Sequence, residues 1–378
     1  MRIVLVSGSW PPDRCGVGDY SDRLAAELAP RGVDLVRFGS PRALRTQDIR
    51  RAAHDIRAQR PDIVHIQYPT AGYGRSLCPS LLPAMLDCPV LVTLHEYSIF
   101  GRYRWPWFAG YAYGSKAVIF TTEAERALFV RRMPAMRART EVIPIGSNIP
   151  EGPDLPRDPR SVCYFGLLIP RKGIETFLAL ARKLAGSTPA IRFAIIGSFP
   201  ASSAAYAERV LREARELGVQ CLVGLTAEEV ARQLKSISYA YLPFPDQVTE
   251  RRGSLLAALT NGMTVLAPHG PLTPPWLKAV VADADSADAA AERLREMMNG
   301  NLNGKPTGAL SDRFAWSNIA AEHVSLYDSV LHHRRRCQSP GSPCGHDHSS
   351  DTEPAAIRVR HGPPGLETII SRFRTARR

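Results

Sequence analysis

The chain has 378 residues, of which 44% are hydrophobic and 22% charged, so it can bury a large core and form two domains. No apolar run approaches the roughly 20 residues that span a bilayer, and the N-terminal MRIVLVSGSW predicts a strand and a turn rather than a signal peptide. The seven cysteines are scattered and form no ligand cluster in the main body. We therefore expect a cytoplasmic protein with reduced thiols.

The net charge of +12 is unevenly distributed. Residues 1–150 hold 20 Lys/Arg and 13 Asp/Glu, residues 151–331 hold 19 of each, and residues 332–378 hold 9 and 4. A basic first half predicts contact with something anionic, such as a membrane surface or a phosphorylated acceptor. The arginine-rich composition of a GC-rich genome would give the same imbalance, so both interpretations stay open.

Strands and helices alternate along the first 150 residues. This order predicts a parallel sheet with helices on both faces, because parallel neighbours need long crossover connections. The predicted strands are 2–7, 34–38, 63–67, 90–95, 117–121 and 140–144, and the predicted helices are 20–31, 42–60 and 123–132.

A loop rich in proline, glycine and acidic residues, 146–159, predicts a linker, after which the alternation restarts. The strands predicted beyond it are 161–166, 192–197, 219–222, 239–243 and 264–267, and the helices are 174–185, 204–217, 226–235, 286–298 and 312–335. The sequence thus predicts an α/β fold with two Rossmann-like doubly wound domains. They face each other across a cleft at the carboxyl ends of their strands.

The segment 241–271, YLPFPDQVTERRGSLLAALTNGMTVLAPHGP, contains a further short helix that begins at Gly253 and Ser254. A helix N-terminus presents unpaired N–H groups and a positive dipole end, so it suits an anion. Arg251 and Arg252 directly precede the helix, and Ser254 is placed as its N-cap. A phosphate ester would fit this position; an ordinary capped helix with solvated arginines is the alternative.

Six fragments carry a resemblance through their order and spacing: PPDRCGVGDYSDRLAAELAPRGV, TLHEYSIFG, VIPIGSNIP, FGLLIPRKGIETFLALA, AIIGS and ERRGSLLAALTNGMTVLA. Together they resemble family 4 of the glycosyltransferases, retaining enzymes of the GT-B architecture that use nucleotide-activated sugars. The resemblance covers roughly residues 1–331. It implies an acceptor-side domain over 1–150, a donor-nucleotide domain over 151–311, and a helix over 312–335 that returns to the first domain. The composition of 336–378 predicts a disordered basic tail.

The motif CGVGDY places Gly16 and Gly18 between the first strand and a helix, where backbone can approach a ligand closely. The third glycine of a dinucleotide fingerprint is missing, which argues against an NAD site. The resemblance implies that this loop faces the donor sugar and phosphates. A tight strand-to-helix turn is the alternative.

His95, with Glu96 beside it, follows a strand at the carboxyl edge of the predicted sheet. A histidine there could bind a sugar hydroxyl or assist proton transfer, although a structural role is common. The following stretch, SIFGRYRWPWFAGYAYGSK, interleaves aromatic residues with Arg102, Arg104 and Lys116. Together with Glu96, Arg102 and Arg104 are predicted to contact the acceptor, and the stretch predicts a peripheral contact with the inner face of the cell membrane. Rings that fill the core or stack on an acceptor sugar are the alternative.

The motif RKGIETF places Arg171 and Lys172 before a helix, as a clamp for a departing diphosphate would be. The resemblance implies an arginine directly after the glycine of the preceding strand, but Leu167 stands there, while Lys172 keeps the family lysine's position. Arg171, or Arg251 and Arg252, would have to supply the missing charge.

Family members usually carry two glutamates with seven residues between them, one near the sugar and one that binds the ribose. Counting back from Gly262, the second position is Ala257, which cannot bind a ribose hydroxyl. The first falls on Thr249, or on Glu250 if one residue is deleted. Ribose recognition must then come from elsewhere, or the donor preference differs.

These observations lead us to expect a glycosyltransferase that moves a hexosyl unit from a nucleotide diphosphate sugar to an acceptor hydroxyl, with no essential metal and no nucleic-acid partner. The acceptor would be a glycan or a lipid-linked sugar, as in glycan, glycolipid or polysaccharide synthesis. Lys172 would hold the diphosphate with an arginine and the start of the helix at Gly253 and Ser254. Glu250 would contact the sugar, and His95 would approach the reacting centre. A nucleotide-sugar epimerase of the same fold and a catalytically silent binding subunit are the alternatives.

Overall fold

A computed structural model describes residues 1–13, 15–40, 44–100, 105–300 and 312–338. The strands are β1 (Arg2–Val6), β2 (Asp34–Phe38), β3 (Ile63–Tyr68), β4 (Val90–Leu94), β5 (Ala117–Phe120), β6 (Thr140–Val142), β7 (Asp158–Leu167), β8 (Arg192–Ser198), β9 (Gln220–Val223), β10 (Ile237–Tyr241), β11 (Thr264–Ala267) and β12 (Val281–Asp283). The helices are α1 (Gly16–Leu28), α2 (Ile49–Ala58), α3 (Cys78–Leu81), α4 (Tyr97–Phe100), α5 (Trp105–Gly114), α6 (Glu123–Arg132), α7 (Ile174–Lys183), α8 (Ala204–Glu216), α9 (Ala227–Ser236), α10 (Gly253–Thr260), α11 (Pro275–Val280), α12 (Ala287–Met298) and α13 (Trp316–Gln338).

The strands form two six-stranded sheets in which the paired neighbours run parallel. The orders are β2-β1-β3-β4-β5-β6 and β12-β11-β10-β7-β8-β9, so the predicted α/β class with two doubly wound sheets is confirmed. The strand order reverses between β1 and β3 in the first sheet and between β7 and β10 in the second. Ligands of such sheets bind outside the carboxyl ends of the strands at this reversal.

Several predicted bounds differ from the observed ones. The helix predicted over 42–60 begins at Ile49, because Thr46–Asp48 form a 3-10 turn first. The helix predicted over 20–31 begins earlier, at Gly16, and ends at Leu28 in a second 3-10 turn. The prediction omitted β12, whose three residues are too few to show a periodicity.

Met1–His333 form one compact unit that contains both sheets. The tail predicted over 336–378 lies outside the described residues from 339 onward. None of the described helices is long and apolar enough to cross a membrane.

The first sheet is covered on one face by α1 together with α13, although α13 follows the second sheet in the sequence. Trp316, Ile319 and Tyr327 of α13 are buried in the same core cluster as Ile3 of β1 and Leu24 of α1. Full burial of an aliphatic or aromatic side chain stabilises a fold by about 1.5–3 kcal/mol, so this helix is an integral part of the first sheet's core.

Polar groups lie within this apolar contact. His65 of β3 bonds through Nδ1 to the hydroxyl of Tyr327 at 2.7 Å, and its ring lies 5.6 Å from that of His323. Nδ1 of His323 bonds to the carbonyl oxygen of Ile319 at 2.8 Å. Burial lowers the pKa of His323 to about 4 and holds the pKa of His65 well below its ordinary value. Both imidazoles are therefore neutral at pH 7.

The two histidines should make the fold sensitive to acid. Their pKa values are lower in the folded than in the unfolded chain. Below about pH 6.5 the unfolded chain therefore binds protons that the folded chain does not bind. The free energy of unfolding then falls by up to about 1.4 kcal/mol per pH unit for each histidine. His323→Gln removes one of these two titrating groups. The free energy of unfolding of this variant should therefore depend less on pH between 7 and 5.

Denaturant unfolding at several pH values measures this difference. The exposed His54 provides the control, because His54→Gln should keep the parental pH dependence. If His323→Gln also keeps it, the buried imidazole does not drive acid unfolding.

Candidate active site

A cleft of about 1240 Å³ lies between the two sheets, lined by segments that follow β1, β3, β4, β7 and β10. These are the segments that the strand-order reversals bring to the carboxyl edges. The predicted site residues that line the cleft are Gly16, His95, Glu96, Lys172, Arg251, Arg252, Gly253 and Ser254. Gly18, Arg171 and Glu250 are not among the lining residues, and Arg102 and Arg104 lie outside the described residues.

The start of α1 borders the cleft through Gly16, whereas Gly18 has a structural role. A Cβ on Gly16 would meet no atom within 4 Å, so the missing side chain keeps this part of the cleft open. A Cβ on Gly18 would lie 2.8 Å from the carbonyl oxygen of Ser9, so glycine is needed for close packing. Cys15 is the N-cap of α1 and makes no side-chain hydrogen bond to its first turn.

His95 is held at the cleft wall by the first sheet. Its backbone N–H donates to the carbonyl oxygen of Tyr68 at 2.8 Å, and its Nε2 bonds to Oε1 of Gln67 at 2.9 Å. The ring of Tyr20 packs edge-on at 4.8 Å. Burial, with smaller contributions from His323 and Arg251, lowers the pKa of His95 to about 3. A base of that pKa takes up protons poorly at pH 7, so this histidine suits a hydrogen bond to a hydroxyl better than proton transfer.

Lys172 enters the cleft from the loop before α7. Gly173, the N-cap of α7, has φ +81°, and a Cβ there would lie 1.9 Å from the carbonyl oxygen of Pro243. Glycine is therefore required where this loop packs against the end of β10. Within the described ranges, the Lys172 ammonium makes neither a hydrogen bond nor an ion pair. Arg171 is exposed, with φ +62°, and does not line the cleft.

Arg251 connects the two halves of the site. Its guanidinium lies 2.9 Å from the carboxylate of Glu125 on α6 and donates to the carbonyl oxygen of His95 at 3.4 Å. The Glu125 carboxylate also accepts from the backbone N–H and the hydroxyl of Ser98, both at 2.6 Å. This ion pair is little exposed, with side-chain exposures of 24% for Arg251 and 4% for Glu125.

Arg252 is paired within its own loop. Its guanidinium contacts the carboxylate of Asp246 and lies 5.1 Å from the ring centroid of Phe244. Burial acts to raise the pKa of Asp246, but the hydrogen bond and charge of Arg252, with Lys172 nearby, hold it below its ordinary value. Of the three cations lining the described part of the cleft, Lys172 is thus the one that no carboxylate neutralises by direct contact.

The start of α10 differs from the prediction. Arg252 occupies the N-cap position and makes no side-chain capping bond, while Ser254 is the second residue of the helix and cannot cap it. The prediction was wrong because α10 begins at Gly253, one residue before Ser254. No acidic side chain lies in the first turn, so its N–H groups face the cleft without a counter-charge from the helix itself.

Comparison with known proteins agrees with this geometry. Residues 15–149 match the model for Glycosyltransferase Family 4. Sucrose-phosphate synthase from Thermosynechococcus elongatus aligns with a TM-score of 0.62 at 18% identity, over 88% of this chain and 100% of that one. The chain therefore has the GT-B fold, and its first half is similar to glycosyltransferase family 4.

Two further structures have the same fold. Anabaena Alr3699/HepE, solved with UDP and glucose, aligns with a TM-score of 0.60 at 14% identity, over 87% of this chain and 100% of that one. The lipopolysaccharide outer core galactosyltransferase WaaB aligns with a TM-score of 0.61 at 13% identity, over 87% of this chain and 99% of that one. No curated protein sequence matches this chain.

Glu250, which the sequence analysis expected to contact the sugar, does not line the cleft. Glu250 is buried, accepts a hydrogen bond from Nε1 of Trp276 at 3.2 Å, and lies 3.8 Å from Arg313. Burial raises the pKa of its carboxyl. Thr249 lines the cleft instead, and Ala257 is fully buried in α10. The turn after Thr249 thus directs Glu250 toward α11, whereas Thr249, the other position considered for the first glutamate, faces the cleft.

Sequence reasoning also missed Gln67 and Glu125. Gln67 lies with His65 on β3, whose six residues IVHIQY are all buried. The alternation of His65 and Gln67 with apolar residues in this strand was a signal that could have identified Gln67, because buried polar groups need hydrogen-bond partners. Nothing in the sequence around Glu125 distinguishes it from a solvated helix residue.

Arg251 and Glu125 should be energetically coupled. Arg251→Met leaves a buried carboxylate without its counter-charge and should lower the free energy of unfolding by about 2 kcal/mol. That is less than the 3–5 kcal/mol typical of fully buried pairs, because Arg251 is partly exposed. In Arg251→Met/Glu125→Gln the charge is gone, so part of the loss should be recovered.

A double-mutant cycle by equilibrium denaturation measures this coupling. The exposed pair Arg51–Asp55 is the control and should couple by less than about 0.5 kcal/mol. Strictly additive effects of Arg251→Met and Glu125→Gln would show that the pair does not join the two halves of the site.

Proposed function

We propose that this chain is a glycosyltransferase that takes its sugar from a nucleotide diphosphate donor, with the diphosphate held between Lys172 and the start of α10. The observation that carries this proposal is the juxtaposition of an ammonium without a bonded counter-ion and an uncapped helix N-terminus on the second-sheet side of the cleft. Both features favour an anion, and they lie near each other, because the charge of Lys172 acts on Asp246, the partner of the N-cap residue Arg252. The HepE structures that hold UDP, or UDP with glucose, support a donor of this class.

The two arginines contribute in different ways. Arg252 lies beside the start of α10, where its positive charge favours binding of a diphosphate, although Asp246 neutralises part of that charge. Arg251 is bound by Glu125, so it reaches the donor only by exchanging that carboxylate for a phosphate oxygen. Leu167, which stands where the family resemblance implies an arginine, lines the cleft and offers no charge.

Transfer breaks the bond between C1 of the sugar and the diphosphate oxygen and forms a bond between C1 and the acceptor oxygen. The acceptor's hydroxyl proton leaves with the diphosphate. Negative charge grows on the diphosphate as it departs, and positioned cations and helix dipoles stabilise that charge. We propose on this basis that the transfer needs no divalent metal. The resemblance to family 4 is the ground on which we propose that it also retains the anomeric configuration and moves a hexosyl unit.

Assays of sugar release and transfer with UDP-, GDP- and ADP-sugars test the function. Transfer that needs an acceptor hydroxyl supports the proposal, and mass spectrometry with proton NMR of the product shows its anomeric form. Interconversion of the donor without any acceptor would indicate an epimerase, and binding without turnover a silent subunit; the fold comparisons favour neither. Activity that disappears with EDTA and returns with a divalent ion would contradict metal-independent transfer.

Lys172→Ala should lower kcat/KM for the donor by about 10²-fold or more, as the loss of a charge positioned on a leaving group commonly does. Lys172→Arg should recover part of the activity. Lys278→Ala, an exposed lysine on α11, is the matched control and should keep the parental kinetics. Unchanged kinetics in a folded Lys172→Ala protein would remove Lys172 from the mechanism.

The acceptor, which we propose to be a glycan or lipid-linked sugar, would approach from the side of the first sheet. Phe108 and Tyr111 are core residues of this half, so they contribute nothing to a membrane contact. Tyr113 is 77% exposed and Lys116 is also exposed, which supports a peripheral contact there. Sedimentation with anionic vesicles should show salt-sensitive binding that Lys116→Glu and Arg102→Glu/Arg104→Glu weaken. No binding at low salt would favour a water-soluble acceptor.

A further inference from the structure

The first sheet carries a buried chain of polar side chains that ends at the cleft. Oε1 of Gln67 bonds to Nε2 of His95 at 2.9 Å, and Nε2 of Gln67 bonds to Nε2 of His65 at 3.1 Å. His65 continues the chain through Nε2 to the hydroxyl of Thr93 at 2.8 Å and through Nδ1 to Tyr327 at 2.7 Å. Gln67 and His65 are fully buried.

The amide of Gln67 sets the direction of these bonds, because its nitrogen lies toward His65 and its oxygen lies toward His95. An amide nitrogen can only donate and an amide oxygen can only accept. Nε2 of His65 therefore accepts from Gln67, and the proton of His65 lies on Nδ1, which donates to Tyr327. At the other end, Oε1 of Gln67 needs a donor, so the proton of His95 lies on Nε2.

Nδ1 of His95 is thus left with its lone pair. No described residue forms a hydrogen bond with Nδ1, and His95 lines the cleft. The low pKa of the ring means that this lone pair stays unprotonated at neutral pH. A substrate hydroxyl that enters the cleft can donate a hydrogen bond to it.

We propose that Gln67 is a positioning residue that fixes His95 in the Nε2–H tautomer, so that Nδ1 accepts a hydrogen bond from a substrate hydroxyl. The assignment of the tautomer rests on the hydrogen-bond network alone. The effect of that tautomer on a substrate rests on the proposed function. A histidine in the other tautomer would present an N–H to the cleft and repel the donated hydrogen. Gln67 therefore acts on the reaction through His95 and touches no reacting atom.

The replacement Gln67→Leu separates this role from simple packing. Leucine offers no acceptor to Nε2 of His95, while Nδ1 still faces water in the cleft. The proton should move from Nε2 to Nδ1, where water can accept its hydrogen bond. Thr93→Val is the matched control, because it removes a polar contact of His65 on the neighbouring strand without touching His95.

NMR of protein labelled with ¹⁵N in histidine reports the tautomer directly, since the protonated and unprotonated ring nitrogens have well-separated shifts. His95→Gln assigns the His95 signals. We expect the Nε2–H form in the parent and in Thr93→Val, and a shift toward Nδ1–H in Gln67→Leu. An Nδ1–H form in the parent, or an unchanged Nε2–H form in Gln67→Leu, would overturn the proposal. Circular dichroism and melting temperature confirm that each variant is folded, and Gln67→Asn is the fallback if Gln67→Leu is not.

Kinetics give the second readout. Gln67→Leu should lower kcat by about tenfold, the effect of one buried hydrogen bond lost in the transition state. The Kd of the nucleoside diphosphate should stay unchanged, because Lys172 and α10 are untouched. A tautomer shift without loss of kcat would overturn the role in the reaction, as would an equal loss in Thr93→Val. If no donor is turned over at all, the proposed function fails while the NMR result still decides the tautomer.

Discussion

Parallel pairing of the strands is the constraint on which the rest of this structure depends. Because the paired neighbours in each sheet run the same way, every connection returns along the outside of the sheet and all carboxyl ends meet at one edge. Two such edges face one cleft, which therefore collects residues far apart in sequence. His95, Lys172 and Arg251 share its wall although more than 150 residues separate the first from the last.

The cleft carries less unneutralised positive charge than the sequence implies. Two of its three described cations are already bonded to carboxylates, Arg251 to Glu125 and Arg252 to Asp246. A diphosphate would have to compete with these carboxylates for the arginines, but not for Lys172. Since Arg251 also contacts the backbone of His95, any exchange of its partner alters the contact between the two halves of the site.

Much of the fold was predictable because apolar strands and amphipathic helices alternate with a clear period. The helix over Glu123–Arg132 and the strand over Thr264–Ala267 agree with the structure at both ends. The site was less predictable, because a shift of one residue along a turn changes which side chain faces the cleft. Thr249 and Glu250 show this: they are neighbours, yet one lines the cleft and the other is bonded to Trp276. Glu125 was beyond prediction because its partner comes from the other half of the chain.

The position of α13 has a consequence for biosynthesis. One apolar face of the first sheet, including Ile63 and Leu91, is covered by α1 and by α13, which is synthesised after both sheets. The strands of that sheet are complete at Val142, but Tyr327 follows more than 180 residues later. At about 5–20 residues per second, the ribosome needs on the order of 10–40 s to add them. During this interval the newly made first sheet carries an uncovered apolar surface, of the kind that chaperones bind, until α13 emerges.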